Sequence, residues 1–286
     1  MARVALASGE AFMHIDTDLP LLVAALRDVG LHAEVVAWDA AVDWSRFGLV
    51  AIRSTWDYLD RREEFLAWAA RVEQVTRLAN PAETIQWNSD KRYLADLAAA
   101  GVPVVPTIWA RDGVGILEDW TDIVVKPAVS AGARWTGRFS EPDAAFAFAA
   151  ELLARGEDPM VQRYVRSVDA VGETAVYFFG GRVSHSIRKS AVLVADAAPR
   201  PDASLAEAQR YEAVPLDDAP IDFARAVLDE VPEATSLLYA RVDCVKDDGG
   251  EDRVIEVELI EPALFLDTSP TAAARFAAAV AARVSP

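Results

Sequence analysis

Residues 254–259 read VIEVEL and follow, across a DDGG turn, a second apolar stretch that contains Arg241 and Asp243. Successive side chains of a β-strand point to opposite faces, so the two glutamates share one face, as do Arg241 and Asp243 on the preceding strand. The turn predicts a hairpin that brings these faces together. Three converging carboxylates are unfavourable without a cation, and hard oxygen ligands suit magnesium. Unless they form only a solvated acidic face of an edge strand, the candidate metal ligands are Asp243, Glu256 and Glu258.

A lysine ends another apolar strand. Lys126 follows the apolar run of residues 123–125 and precedes Pro127, and it is one of only four lysines among 28 basic residues. An unpaired ammonium is costly to bury, so either a bound phosphate supplies the countercharge or the side chain extends to solvent. The loop that follows, AVSAGA, contains Ser130 and Gly132 and is small enough for backbone N–H groups to approach phosphate oxygens. Together these residues predict a phosphate site.

A third candidate element is the apolar strand of residues 160–165, which is followed four residues later by Asp169. Backbone groups of such a strand can pair with an adenine edge, and a carboxylate can accept hydrogen bonds from ribose hydroxyls. The same pattern is equally that of an ordinary structural strand. The pattern indicates a nucleotide site only in combination with the candidate phosphate-binding and metal-binding residues.

The composition excludes several classes of protein. The chain has 286 residues, with 45 acidic and 28 basic side chains and a formal charge of −17, so its surface would on average repel nucleic acid. The length allows one to three domains, and a hydrophobic content of 52% predicts a globular protein. The apolar runs are shorter than the ~18 residues of a membrane span, and residues 1–8 are too short for the centre of a signal peptide. We therefore expect a cytoplasmic protein with neither a nucleic-acid nor a membrane partner.

The order of strand and helix signals predicts three units. Strands and amphipathic helices alternate through residue 75, which favours a parallel sheet with crossover helices. A new helix is expected to open at Asn88 or Ser89, and residues 191–214 are expected to form a long loop that covers a site. The predicted units are an N-terminal Rossmann-like α/β domain (1–87), a small central α+β subdomain (88–160) and a C-terminal subdomain with an antiparallel sheet (161–286).

Taken in order, these motifs resemble the ATP-grasp superfamily over residues 88–266. The resemblance implies that fold, with ATP and Mg²⁺ as cofactors. It implies cationic groups near the γ-phosphate at Lys189 and Arg241, with metal ligands at the three carboxylates already named. It places nucleotide contacts at Lys91, Lys126, Ser130, Gly132, Gln162, Arg163, Tyr164, Val165 and Asp169.

A narrower resemblance is carried by RSTWDY at residues 53–58, WNSDKRY at 87–93 and ELIEP at 258–262. These stretches resemble a RimK-related subgroup that includes O-ureido-D-serine cyclo-ligases of cycloserine biosynthesis. From the residues alone, Arg53 follows a strand, where it can bind a carboxylate with two donors or form a structural ion pair. The subgroup implies substrate contacts at Arg53, Thr55 and Glu261.

Two positions depart from the superfamily pattern. The last metal ligand is commonly Asn, but Glu258 stands there, which leaves open whether Glu258 or Glu261 completes the metal site. The usual glycine-rich loop is reduced to Gly132 and Gly137, which puts its closing motion in doubt.

The resemblance implies an ATP-dependent carboxylate-amine ligase that acts on a small amino-acid-like carboxylate. Phosphorylation would give an acyl phosphate, which a nitrogen of the same molecule then attacks, as in O-ureido-D-serine cyclisation to D-cycloserine. An intermolecular amino-acid or peptide ligase and a noncatalytic nucleotide-binding module are the alternatives. The oligomeric state stays open, because the apolar faces of residues 19–29 and 65–75 suit either a homodimer interface or the core.

Overall fold

The computed structural model describes residues 1–109 and 120–284. The helices within these ranges are short to medium in length, and none has both the length and the apolar character that a bilayer span requires. They are α1 (Asp18–Asp28), α2 (Arg62–Glu73), α3 (Ala82–Asn88), α4 (Tyr93–Ala99), α5 (Pro142–Ala154), α6 (Ser167–Val171), α7 (Ser204–Glu207), α8 (Asp218–Asp229) and α9 (Ala272–Val284).

The first sheet is parallel, as the alternating strand and helix signals predicted. Its strands lie in the order β2-β1-β3-β4, with α1 and α2 in the crossover connections. The prediction of an N-terminal Rossmann-like domain is therefore confirmed. The strands are β1 (Arg3–Ser8), β2 (His32–Ala37), β3 (Leu49–Ile52) and β4 (Leu78–Ala79).

The central sheet is antiparallel and lies in the order β5-β8-β6-β7. Helix α5 covers one face of it, where Phe148 and Leu152 pack against Val125 and Val161. This arrangement matches the predicted α+β subdomain. The strands are β5 (Thr107–Trp109), β6 (Ile123–Pro127), β7 (Gly137–Phe139) and β8 (Pro159–Arg163).

The third sheet is also antiparallel, in the order β11-β10-β9-β12-β13. One face packs on α8 and α4, and residues of the other face, including Tyr177 and Tyr239, join a core with Phe276 of α9 and Leu22 of α1. The last helix thus packs against the first domain. The strands are β9 (Glu173–Phe179), β10 (Arg182–Lys189), β11 (Tyr211–Val214), β12 (Tyr239–Lys246) and β13 (Asp252–Glu258).

Two expectations about local structure were wrong. No helix opens at Asn88 or Ser89: Asn88 ends α3, and α4 begins at Tyr93, which leaves Lys91 in the turn between them. The cause is tertiary, because the Asn88 amide donates to Val257 O and accepts from Leu259 N, both at 2.8 Å. Residues 191–214 are not all loop, since they contain α7 and β11.

Candidate active site

The hairpin β12–β13 brings the predicted carboxylates together. Its register places Arg241 opposite Glu258 and Asp243 opposite Glu256. Ligand oxygens of Asp243, Glu256 and Glu258 all lie within 4.8 Å of one another. Three carboxylates at this spacing fit the oxygen-rich ligand set that magnesium prefers. The period of two and the turn composition were together sufficient to locate this cluster from the sequence.

Two cations hold Asp243 in its buried position. Arg241 donates to both of its carboxylate oxygens at 2.9 Å, and Lys189 Nζ lies 2.7 Å from Oδ2. Burial alone would raise the pKa of Asp243, but the charges of Arg241 and Lys189 outweigh it and hold the pKa below its usual range. Lys189 also forms an ion pair with Glu173 at 3.0 Å. Sequence reasoning missed Glu173. Its position in the site follows from the strand register, which pairs it with Lys189 between β9 and β10.

The two lysines assigned to phosphate lie beside the carboxylate cluster. Lys91 Nζ is 3.2 Å from Glu256 Oε1 and also donates to the backbone oxygen of Ser130. Lys126 is buried, and burial lowers its pKa, with the Glu256 carboxylate opposing the shift. The ammonium groups of Lys91 and Lys126 are charge-assisted donors of the kind that bind phosphate oxygens.

Glu258 has an unusual environment for a glutamate. Its side chain forms an ion pair with Arg241, yet burial, together with Glu256 and Asp243, raises the pKa of its carboxyl to about 7. A bound cation would remove this repulsion.

This electrostatic cost predicts a pH-dependent effect of Glu258→Gln in protein freed of metal with a chelator. Because the folded pKa of Glu258 lies above the unfolded one, this carboxyl lowers the stability of the wild type as pH rises from 4.5 through 7, and the variant lacks this contribution. One pKa unit corresponds to about 1.4 kcal/mol. Allowing for partial exposure of Glu258, we expect an advantage of about 2 kcal/mol for the variant at pH 8 and none at pH 4.5. Thermal denaturation across this range measures it, with Glu251→Gln on the exposed turn as control; a pH-independent difference would contradict the prediction.

The strand predicted to hold adenine is β8 of the central sheet. Gln162 is buried and donates from Nε2 to Thr107 Oγ1 at 2.9 Å, whereas the Arg163 side chain is half-exposed and lies 3.4 Å from Asp248. The segment is therefore anchored on its inner face. Val165 follows it and packs at the edge of a small core.

Asp169, assigned to ribose, already has protein partners. Tyr164 Oη donates to it at 2.6 Å, and Arg138 Nη1 contacts both of its oxygens at 3.2 Å. The Arg138 guanidinium also lies 3.5 Å from the centroid of the Tyr164 ring. Asp169 therefore has less acceptor capacity for a ligand than a free carboxylate.

The small-residue loop after β6 packs against the segment that was expected to cover the site. Gly132 has a φ of +62°, and a Cβ there would lie 2.9 Å from Ala203 Cβ. Trp135 N donates to Arg200 O at 2.6 Å, and Ser140 N donates to the Asp196 carboxylate at 2.8 Å. Glycine at position 132 thus makes room for the covering segment.

The proposed substrate contacts follow β3 and β13. Arg53 is 1% exposed and donates from Nη2 to Pro262 O at 2.7 Å, while its Nε and Nη1 have no hydrogen-bond partner in residues 1–109 and 120–284. Thr55 Oγ1 is likewise buried without a partner in those ranges. Glu261 lies beyond β13, and burial and the nearby Glu258 raise its pKa to about 8. Buried donors without acceptors are the groups that a polar substrate would satisfy.

Side chains from three elements fix the segment that follows Glu261, a feature for which the sequence offered no signal. Asp18 accepts from Leu264 N at 2.7 Å and from Leu266 N at 2.9 Å, and His185 Nε2 lies 2.8 Å from Leu264 O. Arg241 Nη1 lies 3.5 Å from Ala263 O. This segment therefore joins the first domain to the carboxylate cluster.

Comparisons with known proteins agree with this architecture. The D-alanine–D-alanine ligase of Bacillus anthracis, in complex with ATP, superposes with a TM-score of 0.72 at 13% identity, covering 99% of this chain and 97% of that one. The ATP-grasp ligase PsnB, in complex with a precursor variant, Mg and ADP, gives 0.65 at 16% identity, covering 100% and 99%. At these identities the matches show the fold. The chain therefore has the fold of the ATP-grasp ligases, with the carboxylate cluster on its third sheet.

A closer relationship identifies the family within that class. Residues 4–80 match the family described as D-cycloserine synthetase DcsG, N-terminal domain. The cycloserine biosynthesis protein DcsG of Streptomyces lavendulae is 39% identical over 303 residues, with all of both chains covered. The crystal structure of D-cycloserine synthetase DcsG superposes with a TM-score of 0.88 at 38% identity, covering 99% of this chain and 100% of that one. The chain belongs to the DcsG family.

Proposed function

We propose that this ligase uses Mg-ATP to cyclise O-ureido-D-serine to D-cycloserine in the cytoplasm. The observation that carries the proposal is the juxtaposition of the three-carboxylate cluster with the lysines Lys91, Lys126 and Lys189. The 39% identity to DcsG over the whole chain supports the choice of substrate. The buried donors of Arg53 support a carboxylate ligand.

The carboxylates and lysines divide the work of holding the nucleotide. Asp243, Glu256 and Glu258 would hold magnesium, which neutralises negative charge on the transferring phosphoryl group when bound. Lys91 and Lys126 would bind phosphate oxygens. Four residues at the end of β8 and just after it would contact the adenine: Gln162, Arg163, Tyr164 and Val165. Ser130 and Gly132, in the loop after β6, would approach the phosphates, and Asp169 would accept hydrogen bonds from the ribose.

The substrate side of the site is built from the first domain and from the segment after β13. Arg53 Nε and Nη1 would bind and orient the substrate carboxylate. Thr55 and Glu261 would contact the polar groups of the serine and ureido portions. Residues 191–214 would exclude water, which otherwise hydrolyses an acyl phosphate.

The reaction takes three steps. A carboxylate oxygen of the substrate attacks the γ-phosphorus and ADP leaves, which gives the acyl phosphate. The nitrogen bonded to the side-chain oxygen then attacks the acyl carbon, loses its proton and expels phosphate, and this closes the ring. One water removes the carbamoyl group from the ring nitrogen as carbon dioxide and ammonia. Lys189 and Arg241 would stabilise the charge that develops on the phosphoryl and acyl oxygens.

A substrate panel tests this proposal. ADP release is followed with Mg-ATP and O-ureido-D-serine, O-ureido-L-serine, single amino acids or amino-acid pairs. We expect turnover with O-ureido-D-serine as the only added carboxylate, and none in Asp243→Asn. Turnover only with pairs would establish an intermolecular ligase. A Mg-ATP-dependent rise in melting temperature without ADP release across the panel would indicate a nucleotide-binding module.

A further inference from the structure

Tyr177 lies inside the catalytic cluster but has no role in the chemistry described so far. It stands on β9 directly opposite Arg241 of β12, on the face that carries Asp243. The side chain is fully buried, and its Oη makes no hydrogen bond within residues 1–109 and 120–284. A buried hydroxyl without a partner costs stability, so its placement in the cluster calls for a ligand.

The orientation of the Tyr177 ring is fixed by stacking on His185. It stacks on the His185 imidazole, with ring centroids 4.3 Å apart and planes 3° from parallel. His185 is itself held by Leu264 O at 2.8 Å and by Ser184 Oγ at 2.9 Å. The stack therefore keeps the hydroxyl in one place, which is the requirement for a donor that acts in a transition state.

The Tyr177 hydroxyl donates to none of its charged neighbours in the described residues, the Asp243 and Glu258 carboxylates included. Arg241 and Lys189 are donors only, and both oxygens of Asp243 already accept hydrogen bonds from these two cations. Burial raises the pKa of the Tyr177 phenol, so the hydroxyl keeps its proton near neutral pH. An anionic oxygen beside Arg241 is the partner that this group lacks.

We propose that Tyr177 Oη donates a hydrogen bond to the acyl oxygen of the phosphorylated substrate, where negative charge grows as the nitrogen attacks. This proposal rests on the proposed acyl-phosphate reaction. It makes Tyr177 a catalytic residue, and it makes His185 a positioning residue that acts through the stacked ring. No proton is transferred, because the hydroxyl stabilises charge by donation alone.

The test is Tyr177→Phe, which removes only the hydroxyl and keeps the stacked ring. With Mg-ATP and O-ureido-D-serine we expect kcat to fall about 10²-fold. We expect KM to change less than about threefold, because the contact strengthens only in the transition state. Without ligand, the melting temperature should stay the same or rise, because the variant loses a buried donor without a partner. Ser236→Ala, which removes an exposed hydroxyl that contacts only Glu233, is the control and should keep wild-type kcat.

The outcomes separate this proposal from the proposed function. A ligand-free melting temperature that falls by several degrees in Tyr177→Phe would show a structural hydroxyl and overturn the proposal. An unchanged kcat with the best substrate of the panel would overturn it too. If wild-type protein fails with O-ureido-D-serine but turns over another member of the panel, the proposed substrate is wrong. The kcat values of wild type and Tyr177→Phe are then compared with that other substrate.

Discussion

Glu256→Gln is expected to lower kcat for ADP release about 10³-fold, since a metal-binding carboxylate contributes several kcal/mol of transition-state stabilisation. Glu256 lies opposite Asp243 in the hairpin and 3.2 Å from Lys91 Nζ, so it links the metal site to a phosphate-binding lysine. Its amide analogue keeps the shape but not the charge. The loss of kcat should persist at saturating concentrations of ATP and O-ureido-D-serine. The midpoint of the magnesium titration should shift to higher concentration.

The matched control for this change is Glu251→Gln, which makes the same substitution on the exposed turn of the same hairpin. It should keep wild-type kcat and the wild-type magnesium midpoint. If Glu256→Gln retained more than about a tenth of wild-type kcat at unchanged magnesium dependence, the several kcal/mol assigned to this ligand would be refuted.

Lys126→Met is expected to lower kcat/KM for ATP about 10²-fold, in line with the loss of a charge-assisted hydrogen bond in a desolvated site. Burial lowers the pKa of Lys126, so the folded protein bears a cost for this charge. Methionine has a similar shape and no charge. The ligand-free melting temperature should therefore stay the same or rise, while the rise produced by Mg-ATP largely disappears.

Lys246→Met is the matched control for Lys126→Met. Lys246 ends β12, its side chain is about half-exposed, and it pairs with Asp252 at 2.9 Å. Its variant should bind Mg-ATP like the wild type. A lower melting temperature for ligand-free Lys126→Met, with the Mg-ATP response intact, would show that Lys126 stabilises the fold instead of binding phosphate.

The parts of the site that follow strand periodicity could be predicted from the sequence. Alternation alone placed Glu256 and Glu258 on one face, and the turn composition placed the face with Arg241 and Asp243 beside it. Likewise, the end of an apolar run placed Lys126 at the buried end of β6. These features depend on neighbours within one hairpin or one strand, which is the range over which sequence patterns determine geometry.

Features that depend on distant contacts could not be predicted. The break between α3 and α4 arises because Asn88 bonds to the backbone around β13, about 170 residues away. The contact of Asp169 with Arg138 and the ion pair of Glu173 with Lys189 depend on how distant segments align. Domain boundaries at residues 87 and 160 stay predictions, and the packing of α9 on α1 shows that the chain ends contribute to one core.

The most direct test of the acyl-phosphate reaction uses O-ureido-D-serine labelled with ¹⁸O in both carboxylate oxygens. After turnover with Mg-ATP, the released phosphate is analysed by mass spectrometry. If a carboxylate oxygen attacks the γ-phosphorus, each phosphate carries one ¹⁸O atom and the other product is ADP. Phosphate without label, or label in AMP, would contradict this reaction.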